Sequence, residues 1–328
     1  MTPDPLTLLA SATALPVAAT ALLIERLLGY PNGLQDWIGH PVEWIGKLIG
    51  VLDSRFNGGE SRKLKGVATL LIVIGVFLVT TVPLTLWLRS LGGGWMAEAL
   101  LASTLLSQKS LEDHVRAVAD GLATSLAHGR KAVSRIVGRD PGTLDESGVT
   151  KGAIESLAEN MSDGVTAPLF WLLVAGLPGA ALYKAVNTAD SMIGHHSEKY
   201  RDFGWASARL DDLANIVPAR VTGWIIVLTA AIMNGTSGRG AAAAMARDAK
   251  RHVSPNAGWP ESALAGALTI RLGGPRSYEG HEVDLAWMGN GRENLELKDI
   301  SEGLRLYGTG LNLLTLMVVI ACIISWTA

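Results

Sequence analysis

Long apolar runs, separated by charged stretches with helical patterning, set the outline of this chain. Pro5 to Ile24, Gly66 to Leu88 and Leu306 to Ala328 are uncharged runs of 20, 23 and 23 residues. At about 1.5 Å per residue, each reaches across a hydrocarbon core of about 30 Å. They predict three spans, with Pro16 and Pro83 as kink points whose freed carbonyls neighbouring helices must satisfy. Trp95 to Gln108 is shorter and carries Glu98, but it follows the Gly92-Gly93-Gly94 turn and predicts a return across the membrane. Gly164 to Tyr183 is uncharged yet interrupted by GLPG at 176 to 179, so it reads either as one kinked span or as a re-entrant hairpin of two half-length helices. Val221 to Gly238, uncharged for 18 residues, has the same two readings.

The stretches between these runs also read as helix. In 110 to 138, Leu111, Val115, Val118, Leu122 and Leu126 recur at helical spacing and predict one buried face. GGPRSYEG (273 to 280) predicts a turn or loop, and no strand alternation persists. No internal repeat or low-complexity linker breaks the pattern. The expected fold is therefore all-α: a single polytopic integral membrane domain over 1 to 328, with broken or re-entrant helices and a large cytosolic helical face.

Composition agrees with that reading. Hydrophobic residues make up 48% and charged residues 18%, and the mean hydropathy is +0.28, which moves the chain away from ordinary soluble proteins. The net charge of −2, with no concentrated basic face, argues against a nucleic-acid partner. Cys322 is the one cysteine, so neither a disulfide framework nor a cysteine metal cluster is expected. The N-terminus lacks a basic n-region and a convincing cleavage site, so it reads as a retained first span. Segments 25 to 65, 109 to 163 and 239 to 305 carry six, seven and nine Lys/Arg, against one around Arg89. Placing all three basic segments in the cytosol requires the apolar stretches at 164 and 221 to leave the side unchanged, with both termini outward.

Four polar stretches are candidates for chemistry. In KGAIESLAENMSDG (151 to 164), Glu155 and Glu159 stand i, i+4, with Asn160 and Asp163 nearby. Such carboxylates suit Mg²⁺, a hard ion that takes carboxylate oxygens together with waters and phosphates, although a solvated helix end explains them equally. In YKAVNTADSMIGHHSEKYRDFGWASARLDD (183 to 212), Lys184, Asn187, Thr188 and Ser191 are helical neighbours beside Asp190. That set suits a phosphate or metal phosphate; alternatively Lys184 snorkels. The adjacent His195 and His196 point different ways and form no bidentate zinc pair. They read as a surface pair or as one acid/base candidate.

Downstream, Asp211 and Asp212 lie between Arg209 and Arg220, directly before an apolar run. In RHVSPNAGWPESALAGALTIRLGGP (251 to 275), Asn256, Trp259 and Glu261 sit in a rigid turn and helix start, which capping alone would explain. In GHPVEWIGKLI (39 to 49), His40 precedes an interfacial helix and is a candidate to point into a cytosolic cavity. No P-loop, dinucleotide fingerprint, zincin or kinase signature is present.

ESLAENMSDG, NTADSMIGHHSEKYRDFGWASARLDDLANIVPAR and SPNAGWPESALAGAL followed by RLGGP closely resemble the CobD/CbiB family of adenosylcobinamide-phosphate synthases. The similarity starts at ERLLGYPNG and HPVEWIG and continues to the last span. Tyr30 is a departure, since the family usually has Asp there in a Gly-Asp-Pro turn; Asp36 is a possible substitute. The resemblance implies a multi-pass ligase of the inner membrane with its active site facing the cytosol. It would join adenosylcobyric acid to 1-amino-2-propanol phosphate, or to ethanolamine phosphate, using ATP and Mg²⁺. Under that reading Glu155, Glu159, Asp190, Asp211 and Asp212 form the metal and acid/base wall. Lys184, Arg209, Arg220 and Arg271 take phosphates; Asn160, Asn187, Asn215 and Asn256 position amides and phosphates; Trp259, with Glu261 and His40 in the same substrate set, faces the corrin. The partners implied are the corrinoid, the aminoalcohol phosphate, the lipid bilayer, a second copy of the chain and later enzymes of nucleotide-loop assembly. A non-catalytic sensor, as in the distantly related AmpE-like proteins, and a corrinoid transporter are the alternative classes.

Overall fold

The computed structural model describes residues 13–138, 141–195, 197–278, 281–283 and 285–327. In chain order the helices are α1 (Ala14–Leu28), α2 (Asn32–Ile38), α3 (Pro41–Phe56), α4 (Arg62–Ser90), α5 (Gly94–Ser103), α6 (Gln108–Thr124), α7 (Leu126–Val133) and α8 (Glu146–Met161). A π-helical turn, Ser162–Thr166, leads into α9 (Ala167–Ile193), followed by α10 (Trp205–Ala214), α11 (Ile216–Ile232), α12 (Gly238–Asp248) and α13 (Gly258–Leu268). Four short strands, β1 (Leu272–Gly273), β2 (Arg276–Tyr278), β3 (His281–Val283) and β4 (Trp287–Met288), precede α14 (Leu297–Thr327). The chain is thus almost wholly helical, as the apolar periodicity predicts.

Among the described residues, three helical runs are long and apolar enough to cross a membrane, Arg62–Ser90, Glu146–Ile193 and Leu297–Thr327, and the bent pair Trp205–Ala214 and Ile216–Ile232 passes the same test only when taken as one span. Only 17% of the apolar window of α4 and 22% of that of α14 is buried by the protein. Faces so apolar and so exposed need a covering of low polarity, which a bilayer supplies. The expected span at 95 to 108 is corrected: α5 has 10 residues and ends at Ser103, about half of the length a crossing needs. Pro83 lies inside α4, while Pro16 falls in the first turn of α1, where a proline costs little. Residues 5 to 12 of the expected first span, and His196, lie outside the described residues.

The GLPG interruption is a break. α9 leaves helical geometry at Ala175 (φ −134°) and Gly176 (φ +64°), then resumes through Pro178. The positive φ suits glycine, and Pro178 has no N–H for the carbonyl four residues back. The π-turn at Ser162–Thr166 has no signature in the sequence pattern. Strand content is likewise invisible to that pattern, because the ladders are so short: β1 pairs with β4 (Leu272↔Met288, Gly273↔Trp287) and β2 with β3.

The chain divides into two compact units, Met1–Ser107 with Ala167–Asn215 and Met317–Ala328, and Gln108–Thr166 with Ile216–Leu316. In the first, Ile45, Ile49 and Leu52 of α3, Val73 of α4, Ala185, Ala189 and Ile193 of α9, and Phe203 form a core. Val186 of α9 packs with Leu70 of α4 and Ala206 of α10 in a second layer. The alanines keep α9 close to its neighbours, so its polar side is placed with little slack.

In the second unit the predicted face of the 110 to 138 stretch is buried at Leu111, Val115, Val118 and Leu122. The stretch is two helices, because Ser125 caps α7 by accepting from His128 N. Tyr307 OH donates to the Gln108 carbonyl at 2.9 Å, tying α14 to the start of α6.

Candidate functional site

The polar side of α9 meets α10 in the first unit. Asn187 Nδ2 donates to Asp211 Oδ1 at 3.2 Å, and Asn215 Nδ2 donates to Asp211 Oδ2 at 3.0 Å. Tyr183 OH donates to Asn215 Oδ1 at 2.9 Å and so fixes which way that amide faces. Asp211 is 8% exposed and lies on α10, outside the three single runs long and apolar enough to cross a membrane. Burial, then the charge of Asp190, pushes its carboxyl up to about 7, against the hydrogen bonds from Asn187 and Asn215; Asp212 adds to the rise. Two carboxylates therefore act on each other beside two oriented amides, with Lys184 buried one helical turn before Asn187.

Gly194 makes room for this pair. A Cβ there would stand 1.9 Å from Asp190 Oδ1 and 2.7 Å from the Asp190 carbonyl oxygen, so any side chain must displace the carboxylate and shift the backbone. Gly194→Ala is expected to lower turnover at least tenfold and the melting temperature by several degrees. A turnover assay paired with a melt checks it; unchanged turnover would show that the position of Asp190 is immaterial.

His40 caps α3, its Nδ1 accepting from Val42 N at 3.2 Å. Burial and then Lys184 lower its pKa, opposed by Glu43, so the ring is neutral with its other nitrogen protonated. Tyr30 packs edge-on against it at 4.4 Å, and Tyr30 OH donates to the Gly39 carbonyl at 2.8 Å. The unusual tyrosine thus closes the turn that carries His40, whereas Asp36 is exposed. Tyr30→Phe should cost about 1 kcal/mol, read as a lower denaturation midpoint; no change would remove the hydroxyl from the turn.

Other predicted residues of this unit lie further out. Arg209 is a surface partner of Asp212 at 4.0 Å, with side chains 70% and 35% exposed. Such pairs contribute little to stability.

The second unit holds the remaining candidates. Glu155 is buried and accepts from Gly273 N at 2.8 Å, so it anchors β1. Glu159 is exposed: the i, i+4 spacing puts the pair on one side of α8, but the edge of that side is solvent. Asn160 Nδ2 donates within its own helix to the Ser156 carbonyl at 2.9 Å. The Arg220 guanidinium lies 4.4 Å from the centre of the Trp259 ring, and Trp259 Nε1 donates to the Pro255 carbonyl at 3.2 Å. The Trp259 ring is therefore already covered on one face.

Ser254 Oγ accepts from the backbone N–H groups of Asn256 and Ala257, the capped turn that the prolines predict. Asn256 and Glu261 are buried, with exposures of 6% and 4%. His252 Nε2 stands 3.7 Å from Glu261 Oε1. Arg271 faces Glu293 at 3.8 Å and lies 5.8 Å from the centre of the Trp287 ring. Lys151 lies over the same ring at 4.6 Å.

Sequence reasoning misses Lys151, Tyr183, His252 and Trp287. Lys151 opens a stretch already singled out, and its charge beside Glu155 was the available signal. The others are joined only through tertiary contacts. Among the described residues, no three of His, Cys, Asp or Glu are grouped to hold a metal ion. The charge of Asp190 acts on Asp211, and two such carboxylates are a donor set that fits a Mg²⁺ ion carried in by nucleotide phosphates, since that ion commonly takes one or two carboxylates with phosphate and water.

Residues 18–307 match the family described as CobD/Cbib protein. Three similar proteins, each named "Cobalamin biosynthesis protein CobD", come from Rhodobacter capsulatus, Sinorhizobium fredii and Brucella suis. The first is 48% identical over 91% of this chain and 94% of its own length. The second is 51% identical over 89% and 91%, and the third 44% identical over 94% and 97%. No solved structure matches the chain.

Proposed function

Because the chain belongs to the CobD/CbiB family, we propose that it serves cobalamin biosynthesis as an ATP-dependent amide ligase of the inner membrane. In this reading it joins adenosylcobyric acid to 1-amino-2-propanol phosphate, or ethanolamine phosphate, to give adenosylcobinamide phosphate. The observation that carries it is the family match over 18–307; buried Asp211, with Asp190 beside it and its oriented amides, is the chemistry that suits it.

A free carboxylate does not condense with an amine in water unaided. A carboxylate oxygen of the corrinoid attacks the terminal phosphorus of ATP, and ADP leaves with its bridging oxygen. The amine nitrogen then attacks the acyl carbon, phosphate departs with the former carboxylate oxygen, and the nitrogen gives up its proton. Asp190 and Asp211 would hold Mg²⁺, which when bound neutralises the phosphates. Asn187 and Asn215 keep both Asp211 oxygens in fixed positions, and buried Lys184 supplies a positive charge toward phosphate. Positioning and charge neutralisation dominate phosphoryl transfer, so this set has the right character.

The test is direct. Folded, purified protein is incubated with adenosylcobyric acid, Mg-ATP and each amine phosphate, and amide product and ADP are measured together. Equal amounts of both are expected; no product with any amine, from a folded preparation, would sink the ligase reading.

A further inference from the structure

An open cavity of about 420 Å³ in the first unit is lined by Asn57, Gly58, Gly59, Arg62, Glu198 and Lys199. It sits where α4, one of the three crossing helices, begins. Arg62 gives its Nε to Asn57 Oδ1 at 3.0 Å, and no carboxylate pairs with it among the described residues. Lys65 donates to the Gly58 carbonyl at 2.6 Å, and Lys63 lies 3.9 Å from the centre of the Trp205 ring. Neither lysine meets a carboxylate among the described residues. Lys199 is already matched by Asp53, at 3.1 Å.

Charge therefore does not balance at this mouth. Glu198 in the lining and Glu60 just before the helix offset part of the charge, while Arg62, Lys63 and Lys65 all occupy the first turn of α4, where the helix dipole is itself positive. An anion in the cavity would relieve that repulsion, and the surroundings decide which anion. Leu64, Leu71 and Val79 are 70%, 60% and 74% exposed and follow one side of α4 away from the cavity, at spacings of seven and eight residues. Trp205, 42% exposed, stands at the cationic end, a position typical of a tryptophan at the headgroup level. A soluble anion has no use for the apolar stripe; a lipid uses both.

We propose that this cavity binds the headgroup of an anionic glycerophospholipid. Its phosphate lies against Arg62, with Lys63 and Lys65 at the rim, and its acyl chains lie along Leu64, Leu71 and Val79. The site is separate from the Asp190/Asp211 pair and stands whether or not the ligase reading does.

The test uses the full-length protein in nanodiscs of equimolar phosphatidylglycerol and phosphatidylcholine, with the retained lipids identified by native mass spectrometry after release. Wild type is expected to retain phosphatidylglycerol several-fold over phosphatidylcholine, and Arg62→Gln/Lys65→Gln to lose most of that preference. Lys298→Gln, a charge removed far along the sequence, should keep it. Equal retention of the two lipids by wild type overturns the proposal without reference to any variant. An undiminished preference in the double variant overturns the assignment to this cavity. Displacement of the retained lipid by millimolar inorganic phosphate would show a free-phosphate site and overturn the lipid reading.

Discussion

Asp211→Asn is expected to lower turnover by about a hundred- to a thousandfold, since in the proposed reading the carboxylate holds the Mg²⁺ that neutralises the phosphates, while raising thermal stability at pH 8. Two opposing effects set the stability change. The amide leaves one of its neighbours, Asn187 or Asn215, facing a donor, because both now donate to Asp211 oxygens. It also removes a buried negative charge from beside Asp190 and Asp212. The second effect wins, since the Asp211 carboxyl is pushed up to about 7 even with those two hydrogen bonds favouring its charged form.

The sign in pH follows from that displacement. An acid whose folded pKa lies above its unfolded value of about 3.9 binds more protons folded than unfolded between those limits, so its ionisation destabilises the fold as pH rises from about 4 through 7. The gain from Asp211→Asn should therefore be largest at pH 8, a few degrees in melting temperature, and should shrink toward pH 5, where the native acid is already protonated. Melts at the two pH values, with the coupled product and ADP assay, check both halves. A variant that turns over normally removes Asp211 from the mechanism; one that melts lower at pH 8 than wild type removes the buried like-charge account.

The same pocket shows what was legible in the sequence and what was not. Asp190, Asn187, Asp211 and Asn215 fall in one stretch of the chain, so their density alone marked a candidate site, and α9 and α10 bring Asn187, Asp211 and Asn215 together with the charge of Asp190 beside them. Tyr183, which locks Asn215, ends an apolar run and reads from the sequence as core. Glu155 and Glu159 show the opposite limit: helical spacing places them on one side of α8, but only the β1 contact decides that Glu155 holds a backbone N–H while Glu159 meets solvent. The main apolar helices were readable because a 20-residue uncharged run has few alternatives. The 95 to 108 segment was not, because its helix stops at Ser103 before TLLS, where no glycine or proline marks an end; its one charge, Glu98, is matched by Arg89, nine positions earlier.

That contact carries the second large effect. Arg89 Nε and Nη2 donate to the two Glu98 carboxylate oxygens at 2.8 and 2.7 Å, and the side chains are 4% and 0% exposed. Glu98→Ala should cost about 3–5 kcal/mol, because it leaves a guanidinium buried without its carboxylate. The damage should extend beyond folding. A Cβ on Gly176 would stand 3.0 Å from Arg89 Nη2 and 3.6 Å from Glu98 Oε1, so the ion pair packs against the break in α9. The half of α9 beyond that break carries Lys184, Asn187 and Asp190. Loosening the break frees these three groups to move together, and turnover of the surviving folded fraction should fall as well. Arg89→Leu/Glu98→Leu separates the causes: with no charge left to bury, it should recover most of the lost stability, yet it removes the side chains that pack against Gly176, so turnover should stay low. Monodisperse yield, melting temperature and turnover per folded molecule distinguish these outcomes. Wild-type melting in Glu98→Ala would mean that the pair does not hold the break, and full turnover in the double variant would mean that the break does not position Asp190.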